Sequence, residues 1–234
     1  MQNIYIGGLL SLNTILCASC TFFKLQKVSD FVIILGSVYS ADMFSGLLHI
    51  YFDKKKIKFV NKNDPGAILV HDKYVTTLFD KVAHGFQIHH DKPRSFIDQV
   101  PWYNPVGQYE ILRYLSIPTY TMTLIFDIYY NGLLSKNYKN IFIFMYSFNM
   151  IATFSQILHG FSHRTKREIP LFIQILQNYG IIINTHKHHL HHTSYNTNFS
   201  IVNGWSNGVL NILYKRIISP TLSKFSSHFD IEQK

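Results

Sequence analysis

"FVIILGSVYSADMFSGLLHIYF", residues 31–52, carries one aspartate and one histidine in an otherwise uncharged run. A helix needs about 20 predominantly apolar residues to cross a bilayer, and this run supplies them. Asp42, His49 and Asp53 are spaced by seven and four, which places them on one stripe of that helix. Ser45 and Gly46 lie between them and permit close approach of a neighbouring element. An acid inside a membrane helix is costly, so Asp42 is a candidate functional residue. The plainer reading of Asp42 is a hydrogen bond that packs helices together.

Three further runs have similar length and composition. Residues 4–23 and 141–158 carry no charge, and residues 114–134 carry one aspartate, Asp127. A buried helix of a soluble protein reads the same way singly, but four such runs in 234 residues argue for a bilayer. Only 15% of the residues are charged, below the usual share for soluble domains. The shorter run 169–183 suits an in-plane or re-entrant helix. The first run could instead be a signal peptide, but it lacks a basic leader and has the length of an anchor. The first 23 residues are also poor in arginine, which disfavours a plastid transit peptide.

The net charge of +9 invites nucleic acid as a partner. The lysines, however, gather beside an apolar run, at Lys54, Lys55, Lys56, Lys58 and Lys62. That fits the positive-inside rule and anionic headgroups, so no nucleic-acid partner is expected. Lys54–Lys58 and Arg94 could meet a lipid phosphate, and Trp102, Tyr103 and Trp205 could sit at the interface. Cys17 and Cys20 form a CxxC inside an apolar helix and read as small packing residues. With the 53–62 side in the cytosol, four crossings bring every histidine cluster to one membrane face. The expected fold is an all-α integral membrane bundle of about four transmembrane helices with a cytosol-facing histidine site. Residues 1–234 form a single membrane-embedded domain, with a polar, mobile tail after about residue 219.

The chain holds 13 histidines, five of them in "HKHHLHH", residues 186–192. The tract is internal and flanked by apolar sequence, unlike a tag. Neutral imidazole is the commonest protein metal ligand. On a helix His188, His191 and His192 share a face, while His186 and His189 point elsewhere. "HGFQIHHDKP", residues 84–93, places His89 and His90 in a loop. These neighbours cannot share one helical stripe and so suit two adjacent metal positions. "QILHGFSH", residues 156–163, offers His159 and His163 at a helix end. With His49, eight well-placed histidines are too many for one zinc and suit two metals with open positions, the setting in which iron activates oxygen. No HExxH, GxSxG, P-loop or GxGxxG is present.

"ADMFSGLLHIYFD", "FQIHH", "HGFSH" and "HKHHLHHTSYNTNFSIVNGW" together resemble the Kua-type lipid desaturase family, over about residues 31–213. That family includes plasmanylethanolamine desaturase and a plastid desaturase acting on phosphatidylglycerol-bound palmitate. The resemblance implies an integral membrane enzyme with two iron ions held by histidine, using O2 and electrons from cytochrome b5 or ferredoxin. It places metal ligands at His49, His89, His90, His159, His163, His188, His191 and His192. Asp42 and Asp53 match its acidic positions and are expected to be catalytic. His84, His186 and His189 match no family histidine. The stretch "DKPRSFIDQV" after His90 departs from the family and leaves the substrate open. The implied partners are a membrane lipid substrate, an electron-donor protein and the bilayer, with the endoplasmic reticulum favoured over a plastid membrane. A histidine-rich diiron hydroxylase, and a metal-binding or metal-transporting membrane protein, are the rival readings.

Overall fold

The structure is a computed structural model that describes residues 12, 14–22, 24–93, 117–131 and 138–229. Two long helices organise it. α1 (Ser29–Lys54) follows a stretch in which Asp30 accepts the backbone N–H groups of Gln26 and Lys27. It ends where Lys55 turns extended. Both α1 and the second long helix, Lys139–Ser162, are long and apolar enough to cross a membrane. Outward-facing Phe31, Val32, Leu35, Ile141 and Phe154 are exposed, as residues facing lipid tails would be.

Between these helices come a hairpin, β1 (Ile68–Val70) and β2 (Lys73–Val75), then α2 (Leu78–Asp91) and α3 (Ile117–Asn131). The second long helix is therefore α4. The strands pair antiparallel with Leu69 opposite Tyr74. This hairpin is a departure from the expected all-α fold. α2 begins where the Thr77 hydroxyl accepts the Asp80 N–H at 3.0 Å. His89 and His90 thus sit in the last turn of a helix, not in a loop.

α1 and α4 run in the same direction. Lys139 at the start of α4 binds both oxygens of Asp30 at the start of α1, at 2.9 and 3.0 Å. At their other ends the rings of His49 and His159 are 5.7 Å apart. On the flank of α4, Asp127 of α3 meets the Lys24 ammonium at 3.1 Å and accepts the Tyr146 hydroxyl at 2.7 Å. Lys24 and Asp127 are almost fully buried, so the charge at Asp127 serves a staple between apolar elements. Cys17 and Cys20 pack with Tyr120, Phe142 and Tyr146, as small core residues should. The expected crossing 4–23 is helical at 12 and 14–22 and that at 114–134 is helical over α3; their remaining residues lie outside the described set.

α5 (Leu171–Asn178) is too short to cross a membrane and lies along the expected in-plane run. It buries Ile173 against Phe161, Ile169 and Ile182 and exposes Leu171, Phe172 and Ile175. α6 (Thr185–Ser194) carries the histidine tract, capped by the Asn184 side chain accepting the Lys187 N–H at 2.8 Å. The chain then crosses α1 before α7 (Asn207–Leu213) and α8 (Ser219–Lys224). In the polar stretch after 219, Phe229 bridges to Lys55 and packs its ring 5.9 Å from that of Tyr51.

Gly46 makes the crossing possible. A Cβ there would overlap Leu210 Cδ1 and lie 3.2 Å from Ser200 N. The neighbouring Ser45 hydroxyl accepts the Ile201 N–H at 3.2 Å. Gly46→Ala is expected to destabilise the protein by about 1–3 kcal/mol, the range for overpacking a tight contact. Thermal unfolding of the detergent-purified variant measures it.

Candidate metal centre

The sequence-predicted histidines converge at the C-terminal ends of α1, α2 and α4, beneath α6. Two groups form, and within each the ligand-capable atoms lie within 4.8 Å of one another. His89, His159, His163, His188 and His192 make the first; His49, Asp53, His90 and His191 make the second. Consecutive His89 and His90 serve different groups, as two nearby metal positions require. α6 divides similarly: His188 and His192 face the first group and His191 the second. His186 and His189 are exposed on its far side.

In the first group six pairs of Nε2 atoms are 2.9–3.1 Å apart. Hydrogen bonds cannot account for this. A neutral imidazole has one N–H, and a nitrogen that donates cannot also accept. His159, His163 and His188 form a closed triangle of such contacts. At least one edge must therefore oppose two lone pairs or two N–H groups. A cation at the centre removes the conflict, because every lone pair then points at it. Nitrogens about 2.1 Å from one centre and at right angles are about 3 Å apart, which is the spacing present.

Burial holds these imidazoles neutral. It pushes His89 and His188 well below the ordinary value, His163 down to about 3 and His192 down to about 2, with neighbouring histidines adding to the shift. Unprotonated at neutral pH, they keep lone pairs available for a metal.

The second group mixes charge types. His90 Nε2 is 3.1 Å from Asp53 Oδ1, and His49 and His191 Nε2 are 3.5 and 3.3 Å from Oδ2. The Asp53 carboxylate thus lies among three imidazole nitrogens and could join them in holding a metal. His191 Nδ1–H donates to Thr197 O at 2.8 Å, which leaves the Nε2 lone pair facing the group. A donor set of imidazole with one carboxylate suits a redox-active first-row metal.

Asp42 belongs to neither group. Its Oδ1 accepts the N–H groups of Val202, Asn203 and Gly204, and its Oδ2 accepts the N–H and hydroxyl of Ser206. These contacts tie the loop 202–206 to α1, on which Asp42 lies. Lys54, one of the lysines read as meeting a lipid phosphate, is fully buried with its Nζ 2.9 Å from Asn196 Oδ1. His84 lies apart, 3.7 Å from Asp72. Arg94, Trp102 and Tyr103 are outside the described residues. Trp205 is half exposed and donates to Gly180 O. Sequence reasoning missed Thr197 and Asn196. Thr197 acts through its backbone carbonyl, which no side-chain pattern reports.

A family profile described as the lipid desaturase domain matches residues 70–216. The expected resemblance over about 31–213 is therefore supported except in its first box. His49 and Asp53 join the site by geometry alone. Two curated relatives from Arabidopsis thaliana are similar over 68 residues: "Fatty acid desaturase 4, chloroplastic" at 37% identity and "Fatty acid desaturase 4-like 1, chloroplastic" at 34%. That stretch is 29% of this chain, and 21% and 23% of those proteins, so the chain matches under a quarter of either relative. No solved structure matches. The profile covers more than half of the chain and includes seven of the nine residues in the two groups, so the protein belongs to the lipid desaturase family.

Proposed function

We propose that this protein is a diiron, O2-dependent desaturase that forms a double bond in an acyl or alkyl chain attached to a membrane lipid. The observation that carries the proposal is the pair of adjoining buried histidine groups at the ends of two apolar helices, in a member of the lipid desaturase family. His89, His159, His163, His188 and His192 hold one iron; His49, His90, His191 and Asp53 hold the other. When bound, the irons supply the oxidation: O2 takes two hydrogens from neighbouring methylenes, with two further electrons and protons delivered from outside, and leaves as water. The protein holds the imidazoles neutral and aimed, keeps water from the buried ends of α1 and α4, and presents apolar helix faces along which a lipid chain can reach the site. A small carrier such as cytochrome b5 or ferredoxin supplies the electrons.

The whole of residues 1–234 acts as one membrane-embedded domain with four crossings, its site opening on the cytosolic, lysine-bearing face. The relatives' names favour a plastid membrane over the endoplasmic reticulum. The transporter reading loses support because Asp127 and Asp42, the two acids buried among the apolar runs, are both engaged in structural contacts.

Mass spectrometry of lipids from a desaturase-deficient host tests the reaction. Expression of the wild type is expected to yield lipids lighter by two hydrogens, absent with His163→Ala. Lipids heavier by one oxygen would establish a hydroxylase instead. Iron-loaded, folded protein that changes no lipid and consumes no O2 with reductant and lipid would sink the enzyme reading.

A further inference from the structure

A fully buried lysine beside a metal centre needs a reason, because burying an ammonium is costly unless it is well partnered. Lys54 follows Asp53 directly, and its ammonium reaches the turn after α6. Its Nζ sits 2.9 Å from Asn196 Oδ1 and 5.9 Å from the centre of the Tyr214 ring. The Tyr214 hydroxyl donates to the same Asn196 oxygen at 3.0 Å. Two donors from separate elements therefore grip one side chain.

Asn196 lies in the turn that leaves α6. That turn is strained: Tyr195 and Asn198 both have positive φ, at 50° and 56°, although neither is glycine. Its far end is held as well, where Asn198 N–H donates to Asn211 Oδ1 at 2.9 Å. The strained turn delivers two contacts to the second ligand group. Thr197 O receives the His191 Nδ1–H, and the Tyr195 ring lies 4.8 Å from the His90 ring at an angle of 31°. None of these contacts reaches the five-histidine group.

We propose that Lys54 is a positioning residue for the second metal position alone. Through Asn196 it holds the 195–198 turn in the conformation that aims His191 and backs His90. The inference rests on the two-metal reading above. Partners of metal ligands typically influence affinity by 10–100-fold, and here the partner of the ligand is itself held by the lysine.

The test is a Co(II) titration of the purified, metal-free full chain, followed by visible absorption and by metal content per chain. The wild type is expected to take up two Co(II). Lys54→Met keeps the stem but cannot hold Asn196, and is expected to bind the first Co(II) normally and the second at least about tenfold more weakly. Asn196→Ala, a change at an exposed turn residue, is expected to act in the same direction and carries the test if the lysine variant does not fold. A general structural weakening would not pick out one of two metals. Two Co(II) bound with wild-type affinity and spectrum in folded Lys54→Met would overturn the proposal, as would equal loss of both. A wild type that binds fewer than two would overturn the two-metal reading itself, and the proposal with it.

Discussion

Replacing His188 by alanine is expected to abolish lipid desaturation and to strip metal from the five-histidine group. Its Nε2 lies 2.9–3.0 Å from those of His159, His163 and His192, the largest set of close neighbours shared by any ligand on α6. The side chain is buried. Loss of even an outer partner of a metal ligand costs up to about 100-fold, so loss of the ligand itself should cost at least that. Yield of desaturated lipid and metal per chain measure both effects. The neighbouring His189→Ala is the control. His189 is exposed on the opposite side of the same helix and is expected to leave both readings at wild-type level.

The same comparison separates a lost ligand from a lost fold. A bound metal stabilises the folded state by mass action, because the unfolded chain does not hold the site. Chelation should therefore lower the melting temperature of the wild type and of His189→Ala. It should move that of His188→Ala less, because that variant has only the metal of the second group to lose. Metal-free wild type and metal-free His188→Ala should melt close together, since the metal-free wild type keeps crowded lone pairs that the variant relieves. A chelator-sensitive His188→Ala with wild-type metal content would overturn its place in the group.

The helices and the histidine groups were legible in the sequence for different reasons. α1 and α4 announce themselves because a bilayer-length apolar run is a one-dimensional signal. The histidines were legible because imidazole is rare and dense placement of it has few explanations. Even their division between two groups was partly visible, since His89 and His90 are adjacent and cannot share a stripe. What stayed hidden depends on contacts distant in sequence. Asp53 shares a stripe with Asp42, and nothing in the spacing says that one faces imidazoles and the other a loop of backbone amides. Lys54 sits in a run of lysines that reads as facing lipid headgroups, yet it is fully buried. The hairpin at 68–75 is built on three-residue strands, too short for alternation to show.

Asp42→Ala is expected to be the most destabilising single change outside the ligands. The carboxylate is fully buried and accepts five hydrogen bonds, three on Oδ1 from successive backbone N–H groups and two on Oδ2 from Ser206. Removing it leaves five donors without an acceptor in a space too closed for water to replace it fully. Hydrogen bonds to a charged group contribute about 1.5–3 kcal/mol each, and even with strong non-additivity the loss should exceed about 4 kcal/mol. The damage should reach the metal centre. The loop held by Asp42 supplies Val202 O to the Ile183 N–H at 2.7 Å and the Trp205 indole N–H to Gly180 O at 2.9 Å, and these fix the approach to α6. Asp42→Asn distinguishes an anchor from a catalytic acid. Its amide oxygen can still take the three backbone N–H groups, but its NH2 then faces the two Ser206 donors. An anchor predicts a smaller fall in melting temperature for Asn than for Ala, with metal content and activity falling in step with stability. A catalytic acid predicts a stable, fully loaded Asp42→Asn protein that forms no double bond. Melting temperature, metal per chain and lipid product measured on the same preparation decide between them, and the five donors converging on this one side chain favour the anchor.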